Sequence, residues 1–116
     1  MKAIRGAITV AHNTPEDIAE ATTALLAEIA ERNRLQPAEV VSAFFTLTQD
    51  LNADFPARAA RAAGWDMPML DTQELTVAGA LARCLRILMH VDRDEPVQHV
   101  YMRGAVVLRP DLEPPR

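Results

Sequence analysis

Two arginines stand where a charged side chain is hard to keep. Arg5 interrupts Ala3-Ile4-Arg5-Gly6-Ala7-Ile8, a run of apolar and small residues, and Arg86 lies inside Cys84-Leu85-Arg86-Ile87-Leu88-Met89. The ordinary fate of such an arginine is a surface ion pair. A guanidinium held among apolar neighbours, however, reaches water poorly and needs an anion brought to it. A small dicarboxylate would supply one, because the planar fork of arginine grips a carboxylate through two parallel N–H bonds. Of the 12 basic residues only Lys2 is lysine. That ratio decides nothing alone, but it makes the placement of each arginine informative.

Other chemistries find no residues to carry them. A nucleophilic Cys84 would need a base and an electropositive pocket, and it sits in an apolar stretch that reads as core packing. His12, His90 and His99 lack metal-ligand spacing, and no second cysteine joins them. The four glycines Gly6, Gly64, Gly79 and Gly104 are scattered singly, so there is no phosphate-cradling loop. Neither a serine-centred elbow nor a catalytic pair of carboxylates stands out.

The elements that must position the arginines are legible in part. Alternation of Ile4, Ile8 and Val10 against Arg5, Ala7 and Thr9 predicts a strand over 3–10. Thr14-Pro15-Glu16-Asp17 is a helix start: a capping hydroxyl, a proline suited to the first position, and acids at the positive end of the dipole. Ile18, Ala21, Thr22, Leu25, Leu26 and Ile29 form its apolar face, and it should end near 32–34 before Pro37. The β-branched and aromatic stretch 40–48 predicts a second strand. A short helix follows over 54–64, with Asp54 as N-cap and Gly64 as its stop. A short strand is expected over 65–70. Residues 80–91 fit a helix or a strand equally well, and periodicity does not choose between them. A last short strand falls at 99–102, then an apolar run at 105–108, and a loose tail at 113–116. This order predicts one α/β (α+β) domain over 1–112, a small mixed β-sheet with helices on one side.

Length and composition bound the rest. A chain of 116 residues with 49% hydrophobic residues can bury one core. The net charge of −4 argues against a nucleic-acid partner. No window approaches the roughly 18 apolar residues of a membrane span, so no membrane partner is expected either. The lone cysteine and the absence of a signal-peptide pattern predict a cytoplasmic protein.

Beyond these inferences the chain resembles a family. Ile4-Arg5-Gly6-Ala7-Ile8-Thr9-Val10 with Asn13-Thr14-Pro15, Phe45-Thr46-Leu47-Thr48-Gln49-Asp50-Leu51 with Phe55-Pro56-Ala57, Gln73-Glu74, Gly79, Cys84-Leu85-Arg86-Ile87, His99-Val100-Tyr101 and 105–112 occur in a specific order. Together they are similar to the monofunctional chorismate mutases that form homotrimeric pseudo-α/β barrels, distinct from the all-helical type. The resemblance implies an isomerase of phenylalanine and tyrosine biosynthesis that converts chorismate to prephenate without cofactor or metal. It implies active sites at subunit interfaces, and it makes part of 80–91 a strand.

Carried over by position, the resemblance implies that Arg5, Glu74, Arg86 and Tyr101 line the active site. Phe55, Ala57, Arg58 and Arg61 would come from a neighbouring subunit. Met69, Leu70, Asp71 and Leu108 would complete the wall, and Arg109 would help from the C-terminal segment. Two departures stand out: the family often has Thr-Cys where this chain has Leu70-Asp71, and lysine is familiar at Arg58. The alternatives are a non-catalytic trimeric module that binds a small carboxylate, and an imine deaminase-like enzyme on a similar barrel.

Overall fold

The computed structural model describes residues 1–112, so the tail expected at 113–116 lies outside the described residues. In chain order the elements are β1 (Lys2–Thr9), α1 (Pro15–Asn33), β2 (Val40–Leu47), α2 (Pro56–Ala62), β3 (Met69–Gln73), β4 (Cys84–Val91) and β5 (Val100–Met102). Short 3-10 turns occupy Pro37–Glu39 and Arg103–Leu108. The five strands form one sheet in the order β3-β2-β4-β1-β5. Central β4 runs antiparallel to β1 and β2, while the outer pairs β1–β5 and β2–β3 are parallel. This is the mixed sheet that the sequence predicts.

One face of the sheet is covered by helices. Ile4, Ile8, Phe45, Leu85, Ile87 and Met89 meet Ile18, Leu25, Leu26 and Ile29 of α1 in a single buried core that α2 joins through Ala57 and Ala60. Gly6 lets the helix pack closely there. A Cβ on it would lie 3.0 Å from Ile29 Cδ1 and 3.1 Å from Ile87 Cγ2, so α1 could not approach as closely. The α1 start follows its sequence signal: Thr14 Oγ1 accepts from Asp17 N–H at 3.1 Å, and Pro15 takes the first turn.

The opposite face is open over β2, β3 and much of β4. Toward β5 it is closed by a second small cluster of Ala7, Cys84, Tyr101 and Ala105, against which Leu81, Leu108 and Leu112 pack.

The structure corrects two local expectations and decides one that was open. The strand expected over 65–70 begins only at Met69. Trp65 and Met67 are buried anchors of the turn that leaves α2, and Pro68 has no N–H to give a ladder, its carbonyl accepting from Ala43 N–H at 3.0 Å. Helix α2 is not capped by Asp54. Its N-cap residue is Phe55, which makes no side-chain cap bond, and Asp54 Oδ1 accepts from Phe55 N–H instead. The open choice over 80–91 resolves as strand from Cys84 onward. In β4, Leu85, Ile87, Met89 and Val91 are buried, while Arg86, Leu88 and His90 alternate with them as more exposed positions.

Candidate active site

Directly paired residues of neighbouring strands project from the same face of a sheet. The register therefore sets Thr72, Thr46, Arg86, Ala7 and Tyr101 in one row across all five strands. A second row on this face runs Leu70, Phe44, Leu88 and Arg5. Arg5 and Ala7 are two residues apart on β1, so the rows are adjacent and both arginines look out from the open face.

Glu74 joins them from the residue after β3. Its N–H donates to Leu47 O at 2.8 Å, which fixes its backbone against the end of β2. Its side chain then reaches Arg86, with Oε2 at 3.0 Å from Arg86 Nε, and accepts a 2.5 Å hydrogen bond from Thr46 Oγ1. Glu74 is mostly buried and Arg86 about one-third exposed. Although the Arg86–Glu74 contact is short, the Nε–H is poorly aimed at the carboxylate. Among the described residues it is the one buried side-chain nitrogen or oxygen with no hydrogen-bond partner. No acid among the described residues pairs with the Arg5 side chain.

These groups line an open cleft of about 770 Å³, bounded by Arg5, Phe44, Thr46, Glu74, Arg86 and Leu88. Two guanidiniums against one carboxylate leave it locally cationic, with one N–H already desolvated and unpaired. Such a cleft takes an anion.

Cys84 lies on the same face two residues before Arg86, fully buried in the second cluster. Burial pushes its thiol pKa up, against the opposing pull of Arg86, so it stays a neutral packing group.

The other residues expected in the site fall into two further groups. Phe55, Arg58 and Asp71 line a separate cleft of about 450 Å³, and Gln73 borders both clefts. Arg58 lies 5.6 Å from the centre of the exposed Phe55 ring and 3.5 Å from Asp54 Oδ1. Ala57 is buried and Arg61 is exposed. Met69 packs against the main core, whereas Leu70 is exposed on the open face.

Asp71 pairs with the core residue Phe45 and so points to the helix side, where its Oδ1 accepts from Ala57 N–H at 3.1 Å. That is the bond an N-cap side chain would make, supplied to α2 from a distant strand. Burial raises the Asp71 pKa, opposed by the Ala57 N–H and Arg61 and reinforced by Asp54.

The third group lies toward β5. Tyr101 is buried beyond Ala7, Leu108 packs on the second cluster, and Arg109 sits 5.9 Å from the Tyr101 ring centre while gripping Asp111 through two bonds of 3.0 and 2.9 Å. His99 bridges this group to Arg5. Its Nδ1 accepts the Arg5 backbone N–H at 3.0 Å, and burial, then Arg109 and Arg5, lower its pKa.

Sequence reasoning missed Thr46 and Asn13. The side-chain oxygen of Asn13 accepts from the N–H groups of Asn52 and Ala53, both at 3.0 Å, and its amide donates to Asn52 Oδ1 at 2.8 Å. It thereby fixes the loop that leads into Phe55. A polar residue beside a helix cap was visible in the sequence, but its distant partners were not.

Fold and site define a class: a small mixed-sheet α+β protein that presents an arginine cleft for an anion on its open sheet face. A model of the family chorismate mutase type I matches residues 1–112. The chain is 48% identical to chorismate mutase AroH of Thermus thermophilus, with 97% of each chain covered. It is 44% identical to chorismate mutase AroH of Bacillus subtilis (strain 168), with 97% of this chain and 92% of the relative covered. A solved chorismate mutase from Clostridium thermocellum superposes with a TM-score of 0.89 at 44% identity, covering 92% of this chain and 99% of the other. The chain belongs to the chorismate mutase type I family.

Proposed function

We propose that this chain catalyses the rearrangement of chorismate to prephenate, with Arg86 as the central residue. The observation that carries this is the desolvated, unpaired Nε–H of Arg86 in a cleft it shares with Arg5 and Glu74. The reaction is an intramolecular [3,3] shift in which one C–O bond breaks as one C–C bond forms. It needs no acid, base or nucleophile. What it needs is the reactive diaxial chair held in place and charge on the ether oxygen stabilised as that bond breaks.

Arg86 donates to the ether oxygen and to a carboxylate, an interaction that strengthens toward the transition state. Arg5 and Tyr101 hold the side-chain carboxylate, and Glu74 accepts from the ring hydroxyl. Phe55, Leu70 and Leu108 shape the cavity around the ring, while Met69, on the helix side of the sheet, supports it from the core.

The working unit in this reading is a homotrimer in the cytoplasm, with Phe55, Ala57, Arg58 and Arg61 of one subunit facing the Arg86 cleft of the next. Two features support it. Within one chain, Arg58 and Arg86 line different clefts. The open face also carries a row of exposed apolar side chains, Leu70, Phe44 and Leu88, which an isolated chain would leave in water. No helix of the described residues is long and apolar enough to cross a membrane.

A direct ultraviolet assay that follows chorismate loss tests the activity. Saturable turnover with kcat nearly flat across neutral pH is expected, since no proton moves in the reaction. Absent turnover, or a steep bell-shaped profile, sinks the reading.

A further inference from the structure

We infer that Thr46 is a positioning residue for this reaction, acting through Glu74 to fix which carboxylate oxygen faces Arg86 and which is left for substrate. The inference rests on the proposed reaction for its kinetic consequences and on geometry alone for the placement. Thr46 lies opposite Arg86 in the β2–β4 register and on the same face, so its hydroxyl and the guanidinium emerge side by side. Its Oγ1 donates to Glu74 Oε2 at 2.5 Å, and that same oxygen lies 3.0 Å from Arg86 Nε.

A carboxylate carries two acceptor oxygens, and here one is hydrogen-bonded by Thr46 while lying against, but not bonded by, the Arg86 Nε–H. Oε1 is left as the acceptor for a ligand hydroxyl. Without Thr46, nothing but the poorly aimed Arg86 Nε–H holds Oε2. The carboxylate then rotates until it takes up the guanidinium in a closed ion pair, removing both the ligand acceptor and the unpaired donor. Thr46 thus keeps the two charges close without letting them satisfy each other.

The test is Thr46→Val, nearly isosteric but without the hydroxyl, beside Thr46→Ser, which retains it. A hydrogen bond to a charged group lost at this position should lower kcat/KM of Thr46→Val by about 10- to 100-fold. Thr46→Ser should remain within a few-fold of the parent, and thermal melts should be similar for both. In a Glu74→Gln background the Thr46→Val effect should nearly vanish, because the residue acts through Glu74. Equal losses in both backgrounds, or a Thr46→Ser as poor as Thr46→Val, mean packing and overturn the inference.

A crystal structure of unliganded Thr46→Val supplies a readout independent of turnover: Glu74 Oε2 should leave its present position, and an unmoved carboxylate overturns the placement. Thr46→Ala serves both measurements should Thr46→Val not fold. If the parent protein itself fails to convert chorismate, the proposed reaction falls while the crystallographic arm still judges Thr46.

Discussion

Arg86 and Arg58 both border a cleft, but different kinds of structure hold them. Arg86 is on the central strand, with a paired neighbour on each side and a buried core beneath. Arg58 is on a helix of seven residues whose own N-cap residue makes no side-chain bond. Its approach loop is held by Asn13 and its first turn by Asp71, both from outside the segment. The sheet-borne half is therefore set by ladder register, and a small error there would move many bonds at once. The loop-borne half is set by two side chains at long range. A site that must fix reacting geometry would be expected to place its most demanding group on the first kind of support, and Arg86 is there.

The largest expected effect tests that ranking. Arg86→Ala should lower kcat by on the order of 10² to 10³ or more, the range for removing one donor aimed at developing negative charge. Arg86→Lys should also be poor, because a single ammonium cannot reproduce the guanidinium fork. The core below β4 is built from Leu85, Ile87 and Met89, so the fold should persist, which circular dichroism and light scattering would check. Near-normal kcat in Arg86→Ala removes Arg86 from the centre of the mechanism.

How much of this could be read beforehand depends on whether a feature is local. Strand β1 and helix α1 are written in short-range patterns: Ile4 and Ile8 alternate, and Thr14-Pro15 opens the helix. Strand β4 is ambiguous because a central strand partly covered on both faces loses clean alternation, and Cys84 is buried on the side where Leu88 is exposed. Strand β3 is displaced because Trp65 and Met67 are apolar for a different reason, as anchors of a turn.

The site divides in the same way. Arg5 and Arg86 are conspicuous by charge in apolar runs, and Glu74 and Tyr101 enter only through family resemblance. Thr46 is silent, because its meaning lies in being opposite Arg86 and near Glu74, and no local pattern carries register. Asp71 is the opposite case. It was visible as a departure from the family pattern, yet its bond to Ala57 is a tertiary fact.

The next expected effect concerns whether the two halves meet between subunits. Arg58→Ala should weaken activity less than Arg86→Ala, since Arg58 stands on a seven-residue helix at the edge of the shared site and is not the donor aimed at the ether oxygen. Mixing the two variants under conditions that exchange subunits should restore activity. In a random trimer, about a quarter of the sites would then combine an intact Arg86 from one chain with an intact Arg58 from the next. Recovery near that fraction, measured as chorismate loss after mixing, sharpens the contrast between the halves. No recovery despite proven exchange means each chain works alone, and a monomer by light scattering would undo the shared site outright.

The smallest effect isolates the long-range cap. Asp71→Ala should destabilise the protein by about 0.5 to 2 kcal/mol, the usual cost of a lost N-cap acceptor. Asp71→Asn keeps an oxygen for the Ala57 N–H, so it separates the charge from the bond. Burial raises the folded pKa of Asp71 above its ordinary 3.8, and the folded state therefore holds this proton more tightly than the unfolded chain. Stability linked to Asp71 is then fully present below 3.8 and declines as pH rises through the folded value, remaining lower above it. Asn carries no such dependence. The stability of Asp71→Asn relative to the parent should thus improve as pH rises across that window, as read by denaturant unfolding on either side of it. A relative stability that instead falls with rising pH would mean that the Ala57 N–H and Arg61 outweigh burial, and that the charge itself holds α2 in place.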